Sequence, residues 1–73
     1  MIFYKDKNHD SNVESYEIGP DYITVKFRGT SKLYTYSYLT AGRLHVEKMK
    51  TLAKNGDGLN SYINLNCRDK YVK

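Results

Sequence analysis

The most constraining feature of this chain of 73 residues is a run in which tyrosine occupies every second position. Side chains on a β-strand alternate between the two faces of the sheet. If the run is a strand, Tyr34, Tyr36 and Tyr38 therefore point the same way. One face of that strand is then almost entirely phenol, and it either packs into the core or forms a surface for binding.

The segment just before the tyrosines is the clearest strand in the chain. Residues 22–28 alternate β-branched and aromatic side chains with polar ones, which puts Ile23, Val25 and Phe27 on one face. The residues Gly29-Thr30-Ser31 supply a turn before the tyrosines. The sequence therefore predicts an antiparallel hairpin over residues 22–38.

The length of the hairpin loop decides which way the tyrosines face. A loop of two or four residues pairs Tyr34 with Val25, on the apolar face. A loop of three residues pairs Tyr34 with Lys26, and the phenols then form a basic, aromatic platform with Arg28 in solvent. The sequence favours the first register, because the apolar face needs apolar partners.

Two helices are predicted after the hairpin. Apolar residues recur at helical spacing from residue 46 to 53, so we expect an amphipathic helix with Thr40 as its N-cap and Asn55-Gly56 as its end. Beyond it, apolar residues step by four from Leu59 through Cys67 to Tyr71. This spacing predicts a second helix of about three turns.

These elements describe one small α+β domain. An extended segment from Val13 to Ile18 precedes the turn Gly19-Pro20-Asp21 and predicts a first strand. The expected fold is a three-stranded antiparallel sheet, in the order β-β-β-α-α, with two helices packed on one face. Residues 1–10 are predicted to be an N-terminal arm or loop, and residues 11–73 to be the single domain.

The chain shows no sign of a membrane span or a disulfide. No apolar run approaches the ~18 residues that a transmembrane helix needs, and Met1-Ile2-Phe3-Tyr4 is too short for the core of a signal peptide. The single cysteine, Cys67, has no partner for an internal disulfide. We therefore expect a cytoplasmic protein with no membrane partner.

Charge is divided unevenly along the chain. Residues 1–25 contain two lysines against five acidic residues, a net charge of −3, whereas residues 26–73 contain ten basic against three acidic residues, a net charge of +7. A polyanion would be attracted to the second segment. Excess lysines also keep small domains soluble, so the asymmetry does not by itself identify a ligand.

Four short motifs follow one another in a recognisable order: Ser11-x-Val13, Val25-x-Phe27, Tyr34-x-Tyr36 and Arg68-x-x-Tyr71. Over roughly residues 11–73 the chain resembles the KTSC domain family. The members of this family are small bacterial and phage domains, named for an occurrence at the C-terminus of some lysyl-tRNA synthetases. The family has no established activity. The resemblance implies the α+β fold and a conjectured link to RNA.

The resemblance marks four family-motif residues: Tyr34, Tyr36, Arg68 and Tyr71. Each also has a purely structural interpretation. The tyrosines can be part of the core, and Arg68 can pair with Asp57 or Asp69.

Residues that would support catalysis or metal binding are sparse. His9, His45 and Cys67 lie far apart in sequence and lack the paired short spacings of a zinc site. Residues 55–58 resemble a fragment of a calcium loop, but the remaining acidic ligands are missing. We expect no catalytic residues, no metal, no cofactor and no enzymatic activity.

Two functional hypotheses remain open at this point. The first is a non-catalytic module that binds RNA or single-stranded nucleic acid through its basic, tyrosine-rich hairpin. Its candidate contacts are the aromatic and basic residues Tyr34, Tyr36, Lys26, Arg28, Lys32 and Arg68. The second is a protein-interaction or accessory domain that binds a protein partner or forms a homo-oligomer through an exposed strand edge.

Overall fold

A computed structural model of the chain describes residues 1–7 and 11–73. Residues 8–10, which include His9 and the end of the predicted arm, lie outside the described residues. The fold is α+β. The strands are β1 (Ile2–Phe3), β2 (Val13–Ile18), β3 (Tyr22–Phe27) and β4 (Leu33–Ser37), and the helices are α1 (Tyr38–Ala41), α2 (Arg43–Asn55) and α3 (Leu59–Tyr62). A π-helical segment, Ile63–Cys67, continues α3.

The sheet is antiparallel throughout and its strands lie in chain order, β1-β2-β3-β4. In the predicted hairpin, Val25 pairs with Tyr34 and Ile23 pairs with Tyr36. The register that turns the tyrosines toward the core is therefore confirmed. Tyr36 is 2% exposed and Tyr34 is half-buried.

The prediction of three strands was wrong, because the start of the chain adds a fourth. Ile2 pairs with Tyr16 and Phe3 pairs with Ser15, so β1 forms an edge of the sheet. This strand was not predicted, because two apolar residues are too few to show the alternation that identifies a strand. The residues after β1 are also fixed in place, because Tyr4 is buried and its backbone N–H donates to the carbonyl of Glu14.

The helix predicted from Thr40 begins earlier and is interrupted. Ser37 is the N-cap of α1: its hydroxyl accepts from the backbone N–H of Thr40, and the Thr40 hydroxyl accepts from the backbone N–H of Ser37. This reciprocal pair is a capping box, with threonine in the third position. Gly42 then adopts a φ of 91°, which ends α1 and lets α2 begin at Arg43. The predicted end of the helix is confirmed, because Gly56 caps α2 in the left-handed conformation.

The second predicted helix is present in a modified form. It runs as α3 for one turn and then widens into the π-helical segment, in which the side-chain amide of Asn66 donates to the carbonyl of Tyr62. The residues predicted at a spacing of four do form the buried side of this segment, since Leu59, Ile63 and Cys67 are at most 3% exposed. Tyr71 lies beyond the helical part and is half-buried.

One hydrophobic core joins the sheet to the helices. It contains buried side chains from β2, β3 and β4, from α2 and from the α3–π segment, among them Val13, Ile23, Val25, Tyr36, Val46, Met49, Ala53, Leu59, Ile63 and Cys67. Burying a large apolar side chain stabilises the fold by roughly 1.5–3 kcal/mol. Among the helices that the structure describes, none is both long and apolar enough to cross a membrane.

Candidate functional site

A groove of about 360 Å³ opens at the end of the sheet where the hairpin meets the C-terminal residues. Its lining comes from four separate parts of the chain: Phe27, Thr30, Tyr34, Tyr36, Ile63, Asn64, Arg68, Asp69 and Tyr71. We call it the aromatic groove. All four family-motif residues of the sequence analysis line it, although more than thirty positions separate the tyrosine pair from Arg68 in the chain.

The strand register and the C-terminal segment together bring the rings into contact. Tyr36 and Ile63 are buried at the floor, while Phe27, Tyr34 and Tyr71 are half-buried. Tyr71 is held there because the backbone N–H of the next residue, Val72, donates to the carbonyl of Thr35 in β4 at 2.6 Å. The groove is therefore built from strands and from a bonded segment, which gives its rings fixed positions.

The rings meet edge to face. The ring centroids of Tyr34 and Tyr71 are 4.9 Å apart and their planes cross at 88°. Phe27 meets Tyr34 at 5.5 Å and Tyr36 meets Tyr71 at 6.3 Å, also in T-shaped pairs. Such pairs add ~0.5–1.5 kcal/mol beyond the area they bury. They hold the half-buried rings in one arrangement without a ligand.

Positive charge lies around the rings. Lys32 places its Nζ 5.1 Å from the centroid of Tyr34, and Lys73 places its Nζ 5.8 Å from the centroid of Tyr71. Arg68 lines the groove and is exposed, and no ion pair involves it among residues 1–7 and 11–73. The predicted alternative in which Arg68 pairs with Asp57 or Asp69 is not observed in this part of the chain. Asp69 is an exposed acidic group on the same rim.

Two of the predicted contact residues lie outside the groove and are already paired. Lys26 bonds to Glu14 with 2.6 Å between Nζ and Oε2, and Arg28 bonds to Asp6 with 3.1 Å between Nη2 and Oδ2. Acidic residues of the N-terminal third thus neutralise the two basic residues at the end of β3 and just after it. The structure therefore divides the six predicted contacts: Tyr34, Tyr36 and Arg68 line the groove, Lys32 covers one of its rings, and Lys26 and Arg28 do neither.

Burial changes the acid–base properties of the groove floor. It raises the pKa of Tyr36, because the phenolate would lose its hydration in the core, and the neighbouring Cys67, Tyr34 and Tyr71 add to the effect. Tyr36 is therefore a neutral phenol at physiological pH. Its ring forms part of the groove surface, and its hydroxyl adds no charge there.

Two of the residues that sequence analysis weighed as zinc ligands, Cys67 and His45, have different environments in the structure. Cys67 is completely buried, and burial raises the pKa of its thiol, which disfavours the reactive thiolate. His45 is half-buried, and its Nδ1 lies 2.7 Å from the hydroxyl of Tyr62. Each group has a structural role in the folded protein.

Sequence reasoning missed several groove residues, although part of the signal was present. Phe27 and Ile63 were assigned to apolar faces, and those faces converge at the groove. Thr30, Asn64 and Asp69 were not predicted as site residues, because a polar residue in a turn or on an outer helix face is also what solvent exposure requires.

Comparison with known proteins adds no relative. Searches of protein-family models, of curated proteins and of solved structures found no match to this chain.

Proposed function

We propose that the protein is a small non-catalytic binding module whose aromatic groove binds RNA or single-stranded DNA. The observation that carries the proposal is the convergence of Tyr34, Tyr36, Arg68 and Tyr71 on one groove. Aromatic rings can stack with an unpaired base, which is worth ~1–3 kcal/mol per base, while nearby cations hold the phosphates.

The charges around the groove support an anionic ligand. Arg68 is exposed and without an ion pair among the described residues, so its guanidinium can bind a phosphate without breaking an internal bond. Lys32 rests against the ring of Tyr34. A base that stacks on Tyr34 can displace the ammonium group of Lys32 from the ring. The ammonium group can then bind the phosphate that follows the base.

The proposal is tested by titrating a labelled, single-stranded RNA of about 12 nucleotides with the protein at low salt. Replacing Lys32→Ala together with Arg68→Ala should weaken binding by at least tenfold, since each lost phosphate contact removes a charge-assisted bond worth about 1.5–3 kcal/mol. Raising the salt concentration from about 50 to 200 mM should weaken the wild type roughly 20-fold if about three phosphates are contacted.

The matched control is Lys26→Ala with Arg28→Ala. This variant loses the same two charges, but from residues that are paired with Glu14 and Asp6 outside the groove. It should bind RNA almost as the wild type does. Equal losses in the two double variants would mean that net charge alone attracts RNA, and no binding by the wild type at low salt would exclude the proposal.

Self-association is the second candidate function, and a specific observation favours it. β1 lies at an edge of the sheet, and its side chains Ile2 and Phe3 are 59% and 78% exposed. An edge strand on one copy can pair with the same edge on a second copy under two-fold symmetry. Sedimentation equilibrium tests this candidate: Phe3→Lys should abolish any concentration dependence of the mass, and a monomeric wild type would exclude it.

Three further assignments belong to the same proposal. We assign the chain to the KTSC-like domains, because the four family-motif residues line one groove. We take the helices to cover one face of the sheet, because Val25 and Tyr36 share a buried core with α2 and the π-helical segment. A cytoplasmic location is supported by a single cysteine that is buried and free.

A further inference from the structure

The size of the aromatic groove limits how much of a nucleic acid it can hold. Its volume of about 360 Å³ lies near the lower end of the ~300–1,000 Å³ that is usual for small-molecule sites. Open surfaces that follow a single strand along its backbone instead contact ~4–16 nucleotides. The groove therefore has room for one nucleotide and does not extend into a long channel.

We propose that the aromatic groove is a site for a single nucleotide, with the base against Tyr34 and Tyr71 and one phosphate on Arg68. This inference rests on the proposed function and specifies its ligand. A strand that passes over the protein would insert one nucleotide into the groove. The flanking phosphates would lie near Lys32 and Lys73, whose ammonium groups lie close to the rings of Tyr34 and Tyr71.

The rim carries groups that suit the edge of a base with an exocyclic amino group. Asp69 only accepts hydrogen bonds when ionised, whereas the amide of Asn64 both donates and accepts. Adenine and cytosine present an amino group to such acceptors, and uracil presents none. The groove should therefore prefer adenine or cytosine over uracil.

Asp69 also limits the phosphate to one. Its carboxylate stands next to Arg68 in the chain and on the same rim, so a second phosphate would approach a negative charge. A nucleoside monophosphate should consequently bind at least as well as the diphosphate. Asp69→Asn should reverse that order, because the repulsion disappears while the hydrogen-bonding shape is kept.

The test uses adenosine 5′-monophosphate as the probe in two experiments. In the first, it competes with the labelled RNA of about 12 nucleotides, alongside adenosine, ribose 5-phosphate and uridine 5′-monophosphate. The complete adenine nucleotide should displace the RNA, and each of the other three should require about 10- to 100-fold more ligand, since each lacks one charge-assisted bond or one ring contact.

The second experiment follows backbone amide resonances while the same nucleotide is added. Shifts should appear at Tyr34, Asn64, Arg68 and Tyr71, and not at Lys26. Arg68→Ala should remove the shifts. Lys70→Ala, which removes a nearby exposed charge from a residue that does not line the groove, should leave them in place.

The outcomes separate this inference from the proposed function. If the RNA binds but the mononucleotide neither competes nor shifts these residues, the single-nucleotide site is wrong and the binding module stands. The same conclusion follows if affinity keeps rising with RNA length beyond about three nucleotides. If neither the RNA nor the mononucleotide binds at low salt, both proposals fail.

Discussion

Gly56 connects the end of α2 to the N-terminal segment of the chain. It caps α2 with a φ of 74°, and its carbonyl accepts from the backbone N–H of Lys7. A Cβ added at this position would lie 2.4 Å from the Cβ of Lys5. Gly56 therefore meets two requirements, a left-handed backbone and close contact with the N-terminal segment.

Replacing Gly56→Ala should destabilise the protein by more than the backbone alone explains. The left-handed conformation costs an alanine ~1–2 kcal/mol, and the contact with Lys5 adds to that cost. Gly58→Ala is the matched control, since Gly58 has a φ of 83° and its added Cβ would meet only Leu52, at an ordinary 3.7 Å. Urea denaturation measures both, and equal losses would show that the Lys5 contact is relieved at no cost.

The sequence predicted Gly56 as a helix stop but not its second requirement. A glycine after Asn55 is a local signal, because both residues tolerate the left-handed conformation that ends a helix. The contact with Lys5 joins residues that are about fifty positions apart, and no local pattern indicates such a pair. Conformational requirements of single residues can be predicted here, whereas their tertiary contacts cannot.

At the level of elements, the N-terminal segment supports the start of α3. The hydroxyl of Tyr4 accepts a hydrogen bond from the backbone N–H of Leu59 at 3.2 Å. This N–H belongs to the first turn of the helix, where the backbone has no helical acceptor. The segment that sequence analysis described as an arm or loop therefore helps to fix the helix that leads to the groove.

Tyr4→Phe should lower the free energy of unfolding by about 1–3 kcal/mol, because a buried N–H loses its acceptor. Tyr22→Phe removes a hydroxyl that donates to Glu17 at the surface, and it should cost no more than about 0.5 kcal/mol. The midpoint of urea unfolding compares the two. A loss in Tyr4→Phe as small as that in Tyr22→Phe would mean that water replaces the phenol at Leu59.

The elements differed in how well the sequence predicted them, for identifiable reasons. The hairpin register was predicted, because the apolar face of β3 accepts only one arrangement of the tyrosines. The break at Gly42 was missed, since Thr40 can cap a helix with its side chain and was taken as the start of a single helix. The capping residue Ser37 was read as part of the strand, because its place in the alternating run concealed its role as an N-cap.

At the level of the whole molecule, the buried Tyr36 should make the stability of the fold sensitive to alkaline pH. Burial raises the pKa of Tyr36 above its usual value of about 10, so the unfolded chain ionises first. The contribution of this group to stability is complete below about pH 10. It falls as the pH rises further, at a slope of at most about 1.4 kcal/mol per pH unit.

Tyr36→Phe keeps the ring and removes the ionisable hydroxyl, so its stability should fall less steeply above about pH 10 than that of the wild type. The lysines titrate in the same range, but both proteins contain them and the difference excludes their effect. Urea unfolding at a series of pH values measures the two slopes. Parallel curves would show that Tyr36 ionises as readily in the folded protein as in the unfolded chain.

The net charge of each segment could be predicted from the sequence, but the ion pairs between the segments could not. The division into an acidic first third and a basic remainder was visible in the sequence. Pairing of Asp6 and Glu14 with Arg28 and Lys26 depends on the fold, and it leaves Arg68 as the exposed cation of the groove. The candidate site was therefore half predicted: its three tyrosines, Arg68 and the neighbouring Lys32 were named, whereas the other residues that line the groove were not.

Cys67 is completely buried, so its reaction with a thiol reagent can be used to measure local opening of the structure. A thiol-reactive dye can reach the sulfur only when the structure around it opens, so the labelling rate reports how often this region opens. Because no other thiol is present in the chain, the signal comes from one place. A ligand that holds this region closed would slow the dye, which makes labelling a direct screen for compounds that occupy the groove.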